Sequence, residues 1–152
     1  LKLGVEKAEE RDQRIEALVS ELGRLEDHLR ALQQNASIIL QEINEIKIAK
    51  EALEGIKKYS VEDVLIGIDR RGHVYLKGSV SSRDIVLAHI GGEYLAEVSI
   101  DDAMKILDDK ESELRKALET LNQEMNEVAQ LYERLQNTLA ALLAEREKSS
   151  TK

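Results

Sequence analysis

The chain has 152 residues and a formal net charge of −8, with 34% charged residues, 3% aromatics, and no Phe, Trp, Pro or Cys. So few large side chains cannot fill a thick globular core. The acidic balance disfavours nucleic acid or an anionic membrane as the main partner, since both need clustered Lys and Arg, and the lack of cysteine excludes disulfides and thiolate metal sites. Missing prolines remove the commonest helix breaker, so the composition predicts a mainly α chain built around a long, thin Leu/Ile/Ala seam. No apolar run approaches the roughly 18 residues of a membrane span, and the opening "LKLGVEKAEE" has no apolar core of the signal-peptide kind. The expected location is cytoplasmic, and the absence of cysteine fits a reducing compartment.

Residues 1–58 read as one coiled-coil helix. Apolar residues recur at Ile15, Leu18, Leu22, Leu25, Leu29, Leu32, Ala36, Ile39, Ile43, Ile46 and Leu53, in steps of three and four, with one polar slot at Lys50. A stripe sustained over this length is the mark of a coiled-coil seam. Gly23 lies off the seam as a soft point of about 1 kcal/mol, and Gly55 is expected to fray the helix before its exit.

Residues 59–99 change period. "VLIGI" (Val64–Ile68) precedes "DRRG", and "HVYLKGSV" (His73–Val80) alternates apolar with polar side chains. "IVLAHI" and "EYLAEV" then flank Gly91-Gly92, a pair that supplies the positive φ angles of a tight hairpin turn. This spacing predicts four short strands in two hairpins. The first and third strands carry apolar residues on both faces, the pattern of strands covered on both sides. Four small strands cannot cover themselves, so Val64, Ile66, Ile68, Val74, Leu76, Ile85, Leu87 and Ile90 are the expected oligomerisation surface.

Residues 100–152 read as a second coiled-coil helix with a short polar tail. Its seam is Ala103, Leu107, Leu114, Leu118, Leu121, Met125, Val128, Tyr132, Leu135, Leu139 and Leu142, interrupted by Glu111, where looser packing is expected. Ser99 followed by Asp102 resembles a capping box, and Asp101 and Asp102 suit the positive end of the helix dipole. The two helices, of about 85 and 73 Å, each carry an apolar stripe that needs covering. Folding back antiparallel covers both, with residue numbers of facing positions summing to roughly 158.

A long antiparallel coiled-coil hairpin with two β-hairpins inserted at its closed end resembles the prefoldin family. Two hairpins, "VLIGIDRRGHVYLKG" (Val64–Gly78) and "SIDDA" (Ser99–Ala103) resemble its alpha class, of the archaeal type. Gly67 stands where that class usually has Pro, and "DRRG" replaces a small Gly-rich turn. The resemblance implies an ATP-independent holdase without cofactor or catalytic group. It implies a hexamer of two alpha and four beta subunits, so a second copy of the chain and beta-class partners. Non-native clients would be held at the distal coiled-coil tips and passed to a group II chaperonin. The alternative is a structural, filament-forming spacer.

Near the two termini Leu1, Leu3, Val5 and Ala8 face a polar tail and have little to pack on, with Leu139, Leu142 and Leu143 close by. These are the expected client-binding residues, since partly exposed apolar side chains on a charged stalk can hold apolar segments weakly, strengthened by avidity between tips. The acidic charge of the stalk is expected to favour basic clients. His28, His73 and His89 lack a metal-ligand spacing and read as a solvated flank and two strand positions. The Asp101-Asp102 and Asp108-Asp109 pairs read as helix-start and solvated-face electrostatics.

Overall fold

The computed structural model describes residues 1–60 and 62–152; Val61, inside the expected insert, lies outside the described residues. The element order is α1 (Lys2–Tyr59), β1 (Asp63–Gly67), β2 (Tyr75–Ser79), β3 (Ile85–Gly91), β4 (Tyr94–Ser99) and α2 (Ile100–Ser150). Two compact units make up the molecule: a terminal unit of Leu1–Ile39 with Ala117–Lys152, and a central unit of Leu40–Lys116.

In the terminal unit α1 and α2 run antiparallel and bury a narrow seam. Ile15, Leu22, Leu25, Leu32 and Ala36 are buried, while Leu18, Leu29, Leu121, Val128 and Leu135 are half-buried. Each buried Leu or Ile contributes on the order of 1.5–3 kcal/mol, which is what holds the pair. Polar contacts fix the register from the flanks. The Tyr132 hydroxyl donates to Glu26 Oε1 at 2.6 Å, a pair that falls on the expected sum. His28 Nε2 lies 3.0 Å from Glu124 Oε1, so His28 stands on the expected solvated flank, with its side chain 48% exposed, and bridges the helices from there.

In the central unit the seam continues through Ile43 and Ile46, with Ile100 and Ala103 from α2, all buried. Gly55 does not fray the helix. α1 runs on to Tyr59, with Lys57 and Lys58 in its last turn, where cations suit the dipole. The backbone leaves α1 at Ser60, whose φ of 51° is left-handed, the usual way to stop a helix. α2 starts on Ser99, whose Oγ accepts the Asp102 N–H at 3.0 Å. The Ile100 N–H is held by Asp84 O at 3.2 Å, which ties the helix start to the base of the second hairpin.

The four strands form two separate antiparallel sheets, β1-β2 and β3-β4. The first pairs Asp63 with Ser79 through to Gly67 with Tyr75. Its loop is organised by Asp69, whose carboxylate accepts the N–H groups of Arg71 (2.9 Å), His73 (3.1 Å) and Val74 (3.2 Å) and contacts His73 Nδ1 at 3.0 Å. Gly72 closes it at φ 72°, where a Cβ would also strike the Tyr75 hydroxyl.

The second hairpin is less regular than the Gly91-Gly92 pair predicts. Ile85 pairs with Ser99 down to His89 with Leu95, then the register slips and Gly91 pairs with Tyr94. Ile90 is therefore an extra residue, a bulge. The central turn residues are Gly92 and Glu93, not the two glycines. Gly92 has φ 57° and Glu93 is not among the described residues with positive φ, an arrangement of the type II′ kind with Gly first. His89 Nε2 caps the turn at 2.7 Å from Gly92 O.

Candidate functional site

Three places on the molecule have the chemistry of recognition or pairing: the open faces of the hairpins, a charged cluster inside the central seam, and a groove beside the two termini.

The hairpin faces are apolar and open. Leu65 (66% exposed), Leu87 (65%), Ile66, Ile68, Val74, Leu76, Ile85 and Ile90 all stand in solvent, as do Tyr75, Tyr94 and Leu95; Val64 is half-buried. Of the expected oligomerisation residues, seven are exposed and Val64 lies against its own sheet. Leu65, Tyr75, Tyr94 and Leu95 are exposed beside them and were not among the expected residues; Leu65 and Tyr75 stand on the face of the first sheet opposite Ile66 and Leu76, whereas Leu95, paired with His89, shares a face with Ile85 and Leu87. Exposed apolar side chains in this density mark an interaction surface. Beneath the second hairpin, β3 packs over the helices of the central unit, leaving an apolar recess of about 360 Å³ between Leu53, Leu87, Ile106 and Leu107. Lys110 Nζ donates to His89 O at 3.0 Å on its rim.

The two polar interruptions of the seam meet each other. Lys50 Nζ lies 2.5 Å from Asp108 Oδ1 and 3.1 Å from Glu111 Oε2, and Arg115 donates to Glu111 Oε1 at 2.6 Å. The expected loose packing at Glu111 is thus replaced by an ion cluster, with the Lys50 and Glu111 side chains only 24% and 18% exposed. Hydrogen bonds from Lys50 to Asp108 and then to Glu111 hold the ammonium's pKa above the ordinary lysine value. Arg115 first, and Lys50 second, hold the Glu111 carboxyl below its ordinary value. Lys57, 2.5 Å from Asp101, lowers the Asp101 carboxyl in the same way.

The groove lies in the terminal unit and has a volume of about 480 Å³. Going towards the N-terminus from Ile15, the seam of α1 continues through Arg11, Ala8, Gly4 and Leu1. The small residues remove the bulk that would fill the space between the helices. Gly4, Ala8 and Leu142 give it apolar walls, and Lys7, Arg11 and Arg14 bring cations to it. Of the expected client-binding residues, Ala8 and Leu142 line this groove together. Leu139 and Leu143 are half-buried. Leu1, Leu3 and Val5 are exposed at 114%, 73% and 57% and do not line it. The three cations were not anticipated, although their spacing of four and three puts them on one helix face.

The histidines are taken up locally by Glu124, Asp69 and Gly92. Among the described residues no cluster of His, Cys, Asp and Glu is placed to hold a metal ion, and no helix is long and apolar enough to cross a membrane.

The prefoldin subunit family matches residues 25–145 of the sequence. Prefoldin subunit alpha of Saccharolobus islandicus (strain L.S.2.15 / Lassen #1) is 35% identical over 125 residues, covering 82% of this chain and 84% of the relative. Prefoldin subunit alpha of Metallosphaera sedula is 34% identical, covering 82% of this chain and 86% of the relative. Among solved structures, a subunit of the filamentous PFD from Methanocaldococcus jannaschii, determined by cryo-EM, overlaps 89% of this chain and 97% of its own length with a TM-score of 0.46 and 21% identity.

Proposed function

The chain belongs to the prefoldin family, as an alpha subunit of archaeal type, and from that we propose that it works as one of two alpha subunits in a hexamer with four beta subunits, holding unfolded proteins for a group II chaperonin. Prefoldin subunits are non-enzymatic chaperones. The reading therefore asks for no bond-making group, only for surfaces that bind and release.

The observation that carries it is the exposure of the hairpins. Leu65, Leu87, Ile66 and Ile68 are more than half exposed, although at about 25 cal/mol per Å² such side chains gain substantially from burial. A second copy and beta-class partners would supply the missing cover. The residues of the other functional surface are Leu1, Leu3, Val5, Ala8, Leu139, Leu142 and Leu143, which offer clients a shallow, weakly apolar surface. The setting is the cytoplasm.

The test is a light-scattering assay of an unfolded protein in the absence of ATP. The protein mixed with its beta-class partner is expected to suppress aggregation. Equal aggregation with and without the complex contradicts the holdase reading. Leu139→Ser with Leu142→Ser is expected to weaken capture and leave the hexamer intact. Loss of the hexamer in that variant would make these leucines structural.

A further inference from the structure

The two seams contain two cations, and they are treated differently. Lys50 sits opposite Asp108 and Glu111 and is neutralised within the molecule. Arg11 sits opposite Ser149. Its Nη1 donates to the Ser149 hydroxyl at 3.1 Å, and its Nε is occluded from solvent without a hydrogen-bond partner. No carboxylate lies within ion-pair distance of Lys7, Arg11 or Arg14 among the described residues, although Glu10 and Glu145 also border the groove. A partly desolvated guanidinium with an unsatisfied donor is a costly arrangement. It becomes favourable when an anion arrives, because guanidinium presents a planar fork that suits a carboxylate.

The surroundings favour the same ligand. Residues 1–14 and 139–152 together hold seven Lys or Arg and six Asp or Glu, a net of +1. The acidity responsible for the overall −8 therefore lies outside these segments. The sequence-based expectation that clients would be basic follows from the average charge. The local charge has the opposite sign, and exposed charges act over only about a Debye length, roughly 8–10 Å in physiological salt.

Resting on the client-holding role proposed above, we infer that the groove at Arg11 selects unfolded segments in which a carboxylate stands next to an apolar side chain. The carboxylate, from Asp, Glu or the terminal carboxyl group of a polypeptide, takes Arg11 off Ser149 and is flanked by Lys7 and Arg14. The neighbouring apolar side chain settles on Gly4, Ala8 and Leu142. No covalent step is involved. The groove adds a charge preference to a surface that is otherwise indifferent to sequence.

The absence of cysteine allows a local readout. Gln13→Cys places a single thiol on an exposed position of α1 that does not line the groove, for labelling with an environment-sensitive dye. The labelled protein, assembled with its beta-class partner, is titrated with two unstructured peptides sharing one apolar core, one flanked by Glu and the other by Lys. The acidic peptide is expected to bind about tenfold tighter, the weight of one charge-assisted contact, with the preference shrinking as salt is raised. Arg11→Met, which keeps the seam filled, is expected to abolish the preference while retaining the binding that the apolar core provides. Equal binding of both peptides, unchanged by Arg11→Met, overturns the anion preference and leaves the client-holding reading standing. A dye that responds to neither peptide overturns both.

Discussion

The helical seam and the hairpins are built from the same aliphatic side chains and end in opposite states. In the seam Leu22, Leu25, Leu32, Ile43 and Ile46 are 5–8% exposed, whereas in the hairpins Ile66, Ile68, Ile85 and Leu87 are 52–65% exposed. An amphipathic helix shows one stripe, and a second helix from the same molecule covers it. A strand shows two faces and two edges, and a two-stranded sheet in isolation is marginal in water. The rods are therefore completed within one molecule, whereas the sheets keep apolar faces open that the proposed assembly would cover. Under the proposed function this asymmetry separates folding, which the chain completes alone, from assembly, which takes partners.

The contrast is broken most severely by placing a charge on the sheets. Ile66→Asp or Leu87→Asp is expected to abolish assembly with the beta-class partner and leave far-UV circular dichroism nearly unchanged. A normal complex from either variant would remove the hairpins from the interface. The seam responds through stability instead. Leu25→Ala is expected to cost about 2–3 kcal/mol in urea unfolding, the lower part of the range for a buried Leu, because the core is thin.

A smaller effect comes from the ion cluster. Glu111→Ala strands Lys50 with Asp108 alone and should lower Tm, whereas Lys50→Met with Glu111→Met should recover or exceed the parent value, as apolar replacements of buried ion pairs often do. The sign of the pH effect follows from the shifts. The lowered Glu111 and Asp101 carboxyls stabilise the fold above their unfolded pKa values, near 4, and lose that contribution as pH falls through the folded ones. The raised Lys50 contributes below about 10.4 and is lost as pH climbs through its folded value. Chemical unfolding across pH is thus expected to show the cluster's contribution complete between about pH 5 and pH 10, and the double Met variant should lack the part due to Lys50 and Glu111. Smallest of all, Gly23→Ala is expected to add about 1 kcal/mol, since a Cβ at Gly23 meets nothing within 4 Å.

Periodicity in the sequence was enough to place both helices and their stripes, because three-and-four spacing matches the helical turn, and the helix ends near 58 and 100, joined by a short insert, set the antiparallel register. The pairing of Glu26 with Tyr132, and of Lys50 with Asp108, follows from that register. What periodicity could not show is which polar interruptions meet. Lys50 and Glu111 each read as a flaw in its own stripe, and their union depends on a match between distant segments. The second hairpin was visible from its glycines, but the bulge at Ile90 was not, because two adjacent glycines allow either to lead the turn. At the groove the apolar tip residues drew attention through hydropathy. Arg11 did not, since a cation near a helix end resembles surface until its seam position is traced back through Ala8 and Gly4.

Native mass spectrometry of the protein mixed with its beta-class partner tests the dependence of the sheets on other molecules most directly. The account predicts one dominant mass, of two copies of this protein and four of the partner, that disappears with Ile66→Asp. Separate monomer masses at working concentration, with the hairpin amides still protected from hydrogen exchange, would contradict it.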